Sequence, residues 1–150
     1  MMSVTEETEQ SQGSRVLCVL ARRDNSRVLI VDDHQAILEL FRVVLSSSLP
    51  DIRIDLAENG EEALDTFRSG HHAVVLMDLH MPLMDGHRAF DEMMNWCEAR
   101  GWETPSVVFC TGFAPPERLK EMLSGTSSHC LLFKPVTNEV LVEAVRSRLA

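Results

Sequence analysis

Basic side chains are scarce in this chain. Its 14 Lys and Arg residues face 23 Asp and Glu, a formal net charge of -9. Bulk electrostatics therefore works against nucleic acid or an anionic membrane as a partner. No apolar run approaches the ~18 residues of a membrane span. The opening MMSVTEETEQ is acidic where an export signal would be basic. The cysteines (Cys18, Cys97, Cys110 and Cys130) form no C-x-x-C pair and no metal-like spacing with histidine. Cys110 and Cys130 lie within apolar runs, which points to buried free thiols and a reducing, cytoplasmic setting. No internal repeat, low-complexity segment or helix-turn-helix pattern interrupts the chain.

What is present is an ordinary globular composition, 45% hydrophobic and 25% charged over 150 residues, enough for one core without staples. Residues 1–14 read as a disordered acidic tail. VLCVLA (16–21) is open between an extra strand, a helix and more tail, so 1–26 is taken as an N-terminal extension, partly disordered. From residue 27 the pattern alternates. RVLIV (27–31), AVVLM (73–77) and SVVFC (106–110) are continuous aliphatic runs of the kind buried on both faces of a sheet. IRIDL (52–56) alternates like an edge strand, and CLLF (130–133) is a fifth strand. Between them lie helical stripes: Ile37, Leu40, Phe41, Val44 and Leu45; a helix from an Asn59/Glu62 capping box to Gly70; one from Asp85 to Gly101 with Phe90, Met93, Met94 and Cys97 inward; one opened by Pro115 and Pro116 and closed at Ser124–Gly125; and a last one marked by Val140, Leu141, Ala144, Val145 and Leu149. Five βα units with short connections specify an α/β domain, 27–150: a five-stranded parallel sheet with helices on both faces.

Ligands of such sheets bind beyond the carboxyl ends of the strands. Those ends carry Asp32 and Asp33 on the first strand, Asp78 on the third, Thr111 and Gly112 on the fourth, and Lys134 before Pro135 on the fifth. The second offers only Ala57 and Glu58. Two carboxylates ~5 Å apart repel by roughly 3 kcal/mol at an effective dielectric near 20, a heavy cost for a rim without a task. A divalent cation and Lys134 would relieve it, and hard oxygen ligands point to Mg2+. Asp78 could then attack a phosphoryl group in line while the metal and Lys134 neutralise its oxygens, Thr111 donates a hydrogen bond and Gly112 leaves its amide accessible.

LIVDDH (29–34), LMDLHMPLMDG (76–86), FCTG (109–112) and FKP (133–135), in this order, resemble the receiver domain of bacterial two-component response regulators over about five-sixths of the chain. The resemblance implies a flavodoxin-like strand order, 2-1-3-4-5, and a cytoplasmic response regulator in a phosphorelay. Asp78 would accept a phosphoryl group from a histidine kinase or phosphotransfer protein. Asp33, Asp78 and the His80 backbone carbonyl would contact Mg2+, with Asp32 acting through water. Thr111 and Lys134 would read the phosphorylated state, and Pro135 holds a frequent cis-proline position. Such a chain is a switch, with autocatalysed phosphorylation and slow self-dephosphorylation, more than an enzyme with turnover. The downstream protein partner is not named, and a homodimer is open.

One position departs from the pattern. Three residues before Lys134 the family usually carries an aromatic, but here stands Leu131, and the chain has no tyrosine. Phe133, on the same strand face, is a weak substitute. His80 and Phe113, two residues after Asp78 and Thr111, hold places that influence phosphoryl lifetime, and bulky rings there favour slow hydrolysis. Leu131 keeps a second reading open, a phosphorylation-independent docking or dimerisation module on the same fold. An aspartyl phosphohydrolase ranks last, since the acids at the first strand are adjacent and not D-x-D. Met77, Met81, Met84, Met93 and Met94 read as packing, His71–His72 as a surface turn, His34 as an exposed bystander, and Glu61 and Glu62 as a solvated face. Glu117, Arg118, Lys120 and Glu121 also read as solvated, on a helix that receivers use for output. Singly, Asp32–Asp33 is a helix cap, Asp78 a loop acid and Lys134 a surface charge; together those readings need four coincidences.

Overall fold

The three aliphatic runs stack side by side at the centre of a parallel sheet. The structure is a computed structural model that describes the backbone of residues 4–9 and 15–149 and the side chains of 20–149. In chain order the elements are β1 (Val4–Glu9), β2 (Arg15–Val19), β3 (Asp24–Val31), α1 (Gln35–Ser48), β4 (Arg53–Ala57), α2 (Gly60–Gly70), β5 (His72–Asp78), α3 (Gly86–Arg100), β6 (Ser106–Thr111), α4 (Glu117–Ser124), β7 (Cys130–Phe133) and α5 (Asn138–Arg146). The five-stranded sheet runs β4-β3-β5-β6-β7, all parallel. Counted along the domain this is 2-1-3-4-5, as expected.

Alternate residues of the buried strands serve opposite layers. Leu29, Val31, Val75, Met77, Val107 and Phe109 pack towards Leu64 and Phe67 of α2, Phe90 and Met93 of α3 and Leu119 of α4. Val28, Ile30, Val74, Leu76, Val108 and Cys110 pack towards Phe41 and Leu45 of α1 and Leu141 and Val145 of α5. Local chemistry sets the helix ends. Asn59 accepts from the Glu62 N–H at 2.8 Å while Glu62 accepts from the Glu58 N–H, a capping box displaced by one residue. Asp85 caps α3 through the Arg88 N–H, and Gly101 ends it with φ 65°.

Several expectations are corrected. In α1 the stripe facing the sheet is Leu38, Phe41 and Leu45, with Leu40 half exposed; at about 100° per residue Leu40 falls on the side opposite Leu38. In α5 Val142 is buried and Val140 exposed, and Leu149 lies beyond the helix end. Pro116 is the N-cap of α4, so both prolines precede its first turn. Met93 and Met77 are core, and Met81, Met84 and Met94 pack against it. Within the extension, β1 lies in the stretch that reads as acidic tail and pairs antiparallel with β2, the strand alternative open for VLCVLA; β-branched Val4, Thr5, Thr8, Val16 and Val19 favour that pairing. Of VLCVLA, 16–19 lies in β2, and Ala21 bridges Trp102. The Cys18 side chain lies outside the described residues.

His71 and His72 are no surface turn. His71 caps α2 in a left-handed conformation and its ring stacks on Trp102, centroids 4.1 Å apart. His72 is fully buried, with Nε2 2.7 Å from Asp55 Oδ2 on β4 and Nδ1 without a partner. Burial pushes His72 below the usual imidazole range despite Asp55. Protonation would also cost the hydrogen bond that His129 Nδ1 accepts from the Val107 N–H at 3.0 Å, and burial lowers His129 likewise. For groups whose folded pKa is depressed below ~6.5, stability is complete above that pH and is lost as the pH falls. Urea unfolding at pH 7.5 and 5.5 should show a loss for His72 on the order of 1 kcal/mol, read as the difference between wild type and His72→Gln. Equal pH slopes in the two proteins would contradict the assignment.

Candidate functional site

Every strand end expected to carry chemistry opens on the same rim. Asp32 follows β3 directly, with 2% exposure; Asp78 ends β5 with 5%; Thr111 ends β6, fully buried; Lys134 follows β7. Asp32 is held by its N–H on the Ala57 carbonyl of β4, 3.1 Å, and Lys134 by its N–H on the Thr111 carbonyl, 2.8 Å. The Lys134–Pro135 bond is cis.

Lys134 Nζ lies 3.2 Å from Asp32 Oδ2 and 3.6 Å from Asp78 Oδ2. Burial alone would lower the lysine, but the two carboxylates outweigh it and hold its pKa above the usual value. Asp78 is pushed up, first by burial and then by Asp32, with Lys134 and the His80 N–H (3.3 Å from Oδ1) pulling the other way. A carboxyl in that balance favours any added positive charge beside it. Asp32, Asp33, His34 and Asp78 offer ligand atoms that all lie within 4.8 Å of one another. Three of these are the acids singled out from the sequence.

His34 is the residue sequence reasoning passed over. Its ring is exposed, as expected, yet Nδ1 turns back to within 3.1 Å of Asp32 Oδ1 and 3.2 Å of Asp33 Oδ1. The signal was adjacency to the acidic pair, but adjacency alone does not say which way a ring turns.

Thr111 is placed at the rim but its hydroxyl is engaged. Oγ1 donates to the Phe113 carbonyl and accepts from the Phe113 N–H, both at 3.1 Å, a local turn that must open before the hydroxyl can donate elsewhere. Phe113 is largely exposed, and its ring meets His80 edge to face at 5.0 Å, joining the two loops beside Asp78. Leu131 packs against the core and Phe133, 59% exposed, does not fill an inward aromatic position. Cys110, next to Asp78 in the sheet, has its thiol pushed up to about 12 by burial and takes no part as a nucleophile.

The loop after Asp78 returns through Leu83, at φ 69°, to bring α3 against the strand end. Gly86 makes that approach: its N–H bonds the Leu79 carbonyl at 2.9 Å, and a Cβ there would stand 2.3 Å from the Asp78 carbonyl oxygen. Gly112, by contrast, has nothing within 4 Å of a Cβ. Gly86→Ala should therefore cost roughly 1–3 kcal/mol in urea unfolding, and Gly112→Ala should be close to neutral. A neutral Gly86→Ala would contradict the close approach.

A family model described as "Response regulator receiver domain" matches residues 28–146. Response regulator MprA of Mycolicibacterium vanbaalenii is 31% identical over 123 residues, 82% of this chain and 50% of that protein. A protein-glutamate methylesterase/protein-glutamine glutaminase of Methanosarcina acetivorans is 47% identical over 86 residues, 57% of this chain and 23% of that protein. The chain thus spans half or less of the length of these curated relatives. Among solved structures, the signal receiver domain of response regulator NarL from Mycobacterium tuberculosis superposes with a TM-score of 0.67 at 25% identity, covering 83% of this chain and 95% of that one. A CheY-like receiver domain protein from Methanospirillum hungatei gives 0.69 at 23% identity over 83% and 93% of the two chains, a likeness of fold.

Proposed function

Because this chain belongs to the response regulator receiver domain family, we propose that it is a phosphoacceptor switch in two-component signalling, with Asp78 taking a phosphoryl group from the phosphohistidine of a kinase or phosphotransfer protein. The observation that carries this reading is the rim itself: a buried carboxylate at the end of β5, raised in pKa, with a lysine 3.6 Å away and two further acids beside it. An oxygen of Asp78 attacks phosphorus; the P–O bond forms as the P–N bond breaks, and the electron pair leaves with the donor imidazole, which is protonated. Lys134 then balances the phosphoryl oxygens, and Thr111 donates once its hydroxyl leaves the Phe113 carbonyl.

The donor set fits Mg2+. Three carboxylates supply hard oxygens within 4.8 Å of one another, and a hydrated octahedral ion needs few protein ligands. Asp33, Asp78 and the His80 backbone carbonyl would hold it directly and Asp32 through water. When bound, it supplies positive charge that stabilises the transferring phosphoryl group. No helix among the described residues is long and apolar enough to cross a membrane. We place the protein in the cytoplasm beside its donor, where Cys97, Cys110 and Cys130, all free, stay reduced. It acts by changing its surface for a protein partner, without turning over a substrate.

Leu131 favours the second reading, a docking module indifferent to phosphate, because no inward aromatic couples Thr111 to the output face. Intact-mass measurement after incubation with acetyl phosphate separates the two. The expected result is a gain of one phosphoryl group that needs both Mg2+ and Asp78 and is absent in Asp78→Ala; no gain by folded protein would leave the docking module. In the same assay the adduct of Phe113→Ala should decay several-fold faster, since the Phe113–His80 pair covers the approach of water. An unchanged lifetime would remove that role.

A further inference from the structure

We propose that His34 is an additional ligand of the rim's cation site and biases it towards first-row transition ions of the cobalt(II) and nickel(II) class, relative to Mg2+. This rests on the cation site proposed above and concerns which ion the site selects. Three observations carry it. His34 is the N-cap residue of α1, yet its side chain makes no capping hydrogen bond. The ring is instead turned back over the acids, with Nδ1 3.1 Å from Asp32 Oδ1 and 3.2 Å from Asp33 Oδ1. His34 also belongs, with Asp32, Asp33 and Asp78, to a cluster among the described residues whose candidate ligand atoms all lie within 4.8 Å of one another.

Neighbouring ligands on a first-row divalent ion, each ~2.1 Å from it, stand about 3 Å apart. The His34–Asp33 separation of 3.2 Å has that spacing, so an ion held directly by Asp33 meets the ring nitrogen with little rearrangement. Coordination uses the Nδ1 lone pair of a ring that carries its proton on Nε2. The side chain is 68% exposed, so an ion can reach it from solvent. Imidazole adds much to the binding of cobalt(II) or nickel(II) and little to that of Mg2+, which prefers oxygen and retains its waters. A carboxylate-only rim would lack that difference.

The test is a titration of the full chain with Co2+, followed by the visible absorbance of the bound ion, beside calorimetric titration with Mg2+. Asp33→Asn defines the rim's share of the Co2+ signal, since other exposed histidines bind Co2+ outside it. His34→Ala should weaken Co2+ at the rim about tenfold or more while leaving Mg2+ affinity unchanged; retained Mg2+ binding also shows that the variant folds. An unchanged Co2+ affinity, or an equal loss for both ions, would overturn the ligand role and leave the cation site standing. Failure of the wild type to bind either ion would overturn the cation site itself.

Discussion

Lys134 Nζ, 3.2 Å from Asp32 and 3.6 Å from Asp78, holds together a group of carboxylates that would otherwise force one another apart. The acids cannot relax into water, because Asp32 and Asp78 are almost fully buried at the ends of parallel strands. One lysine offsets part of their charge and leaves Asp78 with a raised pKa. The remaining imbalance is what a cation, and then a phosphoryl group with its cation, can relieve. Burial makes the effect large, and the rigid sheet makes it directional.

The parts that respond to the rim are loops fixed to it at one end. Thr111 ends a buried strand, but its hydroxyl is spent on Phe113, in a loop that carries exposed residues. Drawing that hydroxyl towards Asp78 would free the Phe113 carbonyl and loosen the segment leading to α4. Phe113 in turn touches His80 across the mouth of the site, so the loops after β5 and β6 are in contact. Gly86 keeps α3 against the backbone of Asp78, which stiffens the other side. Leu131 of β7 packs, partly buried, against the core and Phe133 is exposed, so neither supplies an inward aromatic ring behind Thr111.

The strands were legible because β3, β5 and β6 are buried on both faces and admit little but aliphatic residues, while their order was implied by the resemblance to receivers. The rim was legible for the same reason: a charged residue at the end of such a run has few innocent explanations. Helical phase was less so. Leu40 and Val140 each adjoin a buried residue in sequence, but a one-residue step turns about 100° around the helix and carries them off the packed face. His72 looked like part of a turn because its partner, Asp55, belongs to another strand, and only the sheet brings them together. His34 escaped for a subtler reason: its neighbours were noted, while the rotation of its ring over them is a property of the folded loop. β1 lay in an acidic stretch whose composition reads as tail, while β2 falls largely in VLCVLA, a run open between a strand, a helix and tail.

The central claim is that Asp78, among the rim's carboxylates, forms the acyl phosphate. Borohydride reduction of the phosphorylated protein, followed by peptide mass mapping, tests it most directly, because the reagent converts an aspartyl phosphate to homoserine and leaves free carboxylates unchanged. Homoserine at position 78 alone is the predicted result. Homoserine at position 32 or 33, or unmodified Asp78 in protein that carries the phosphoryl group, would contradict it.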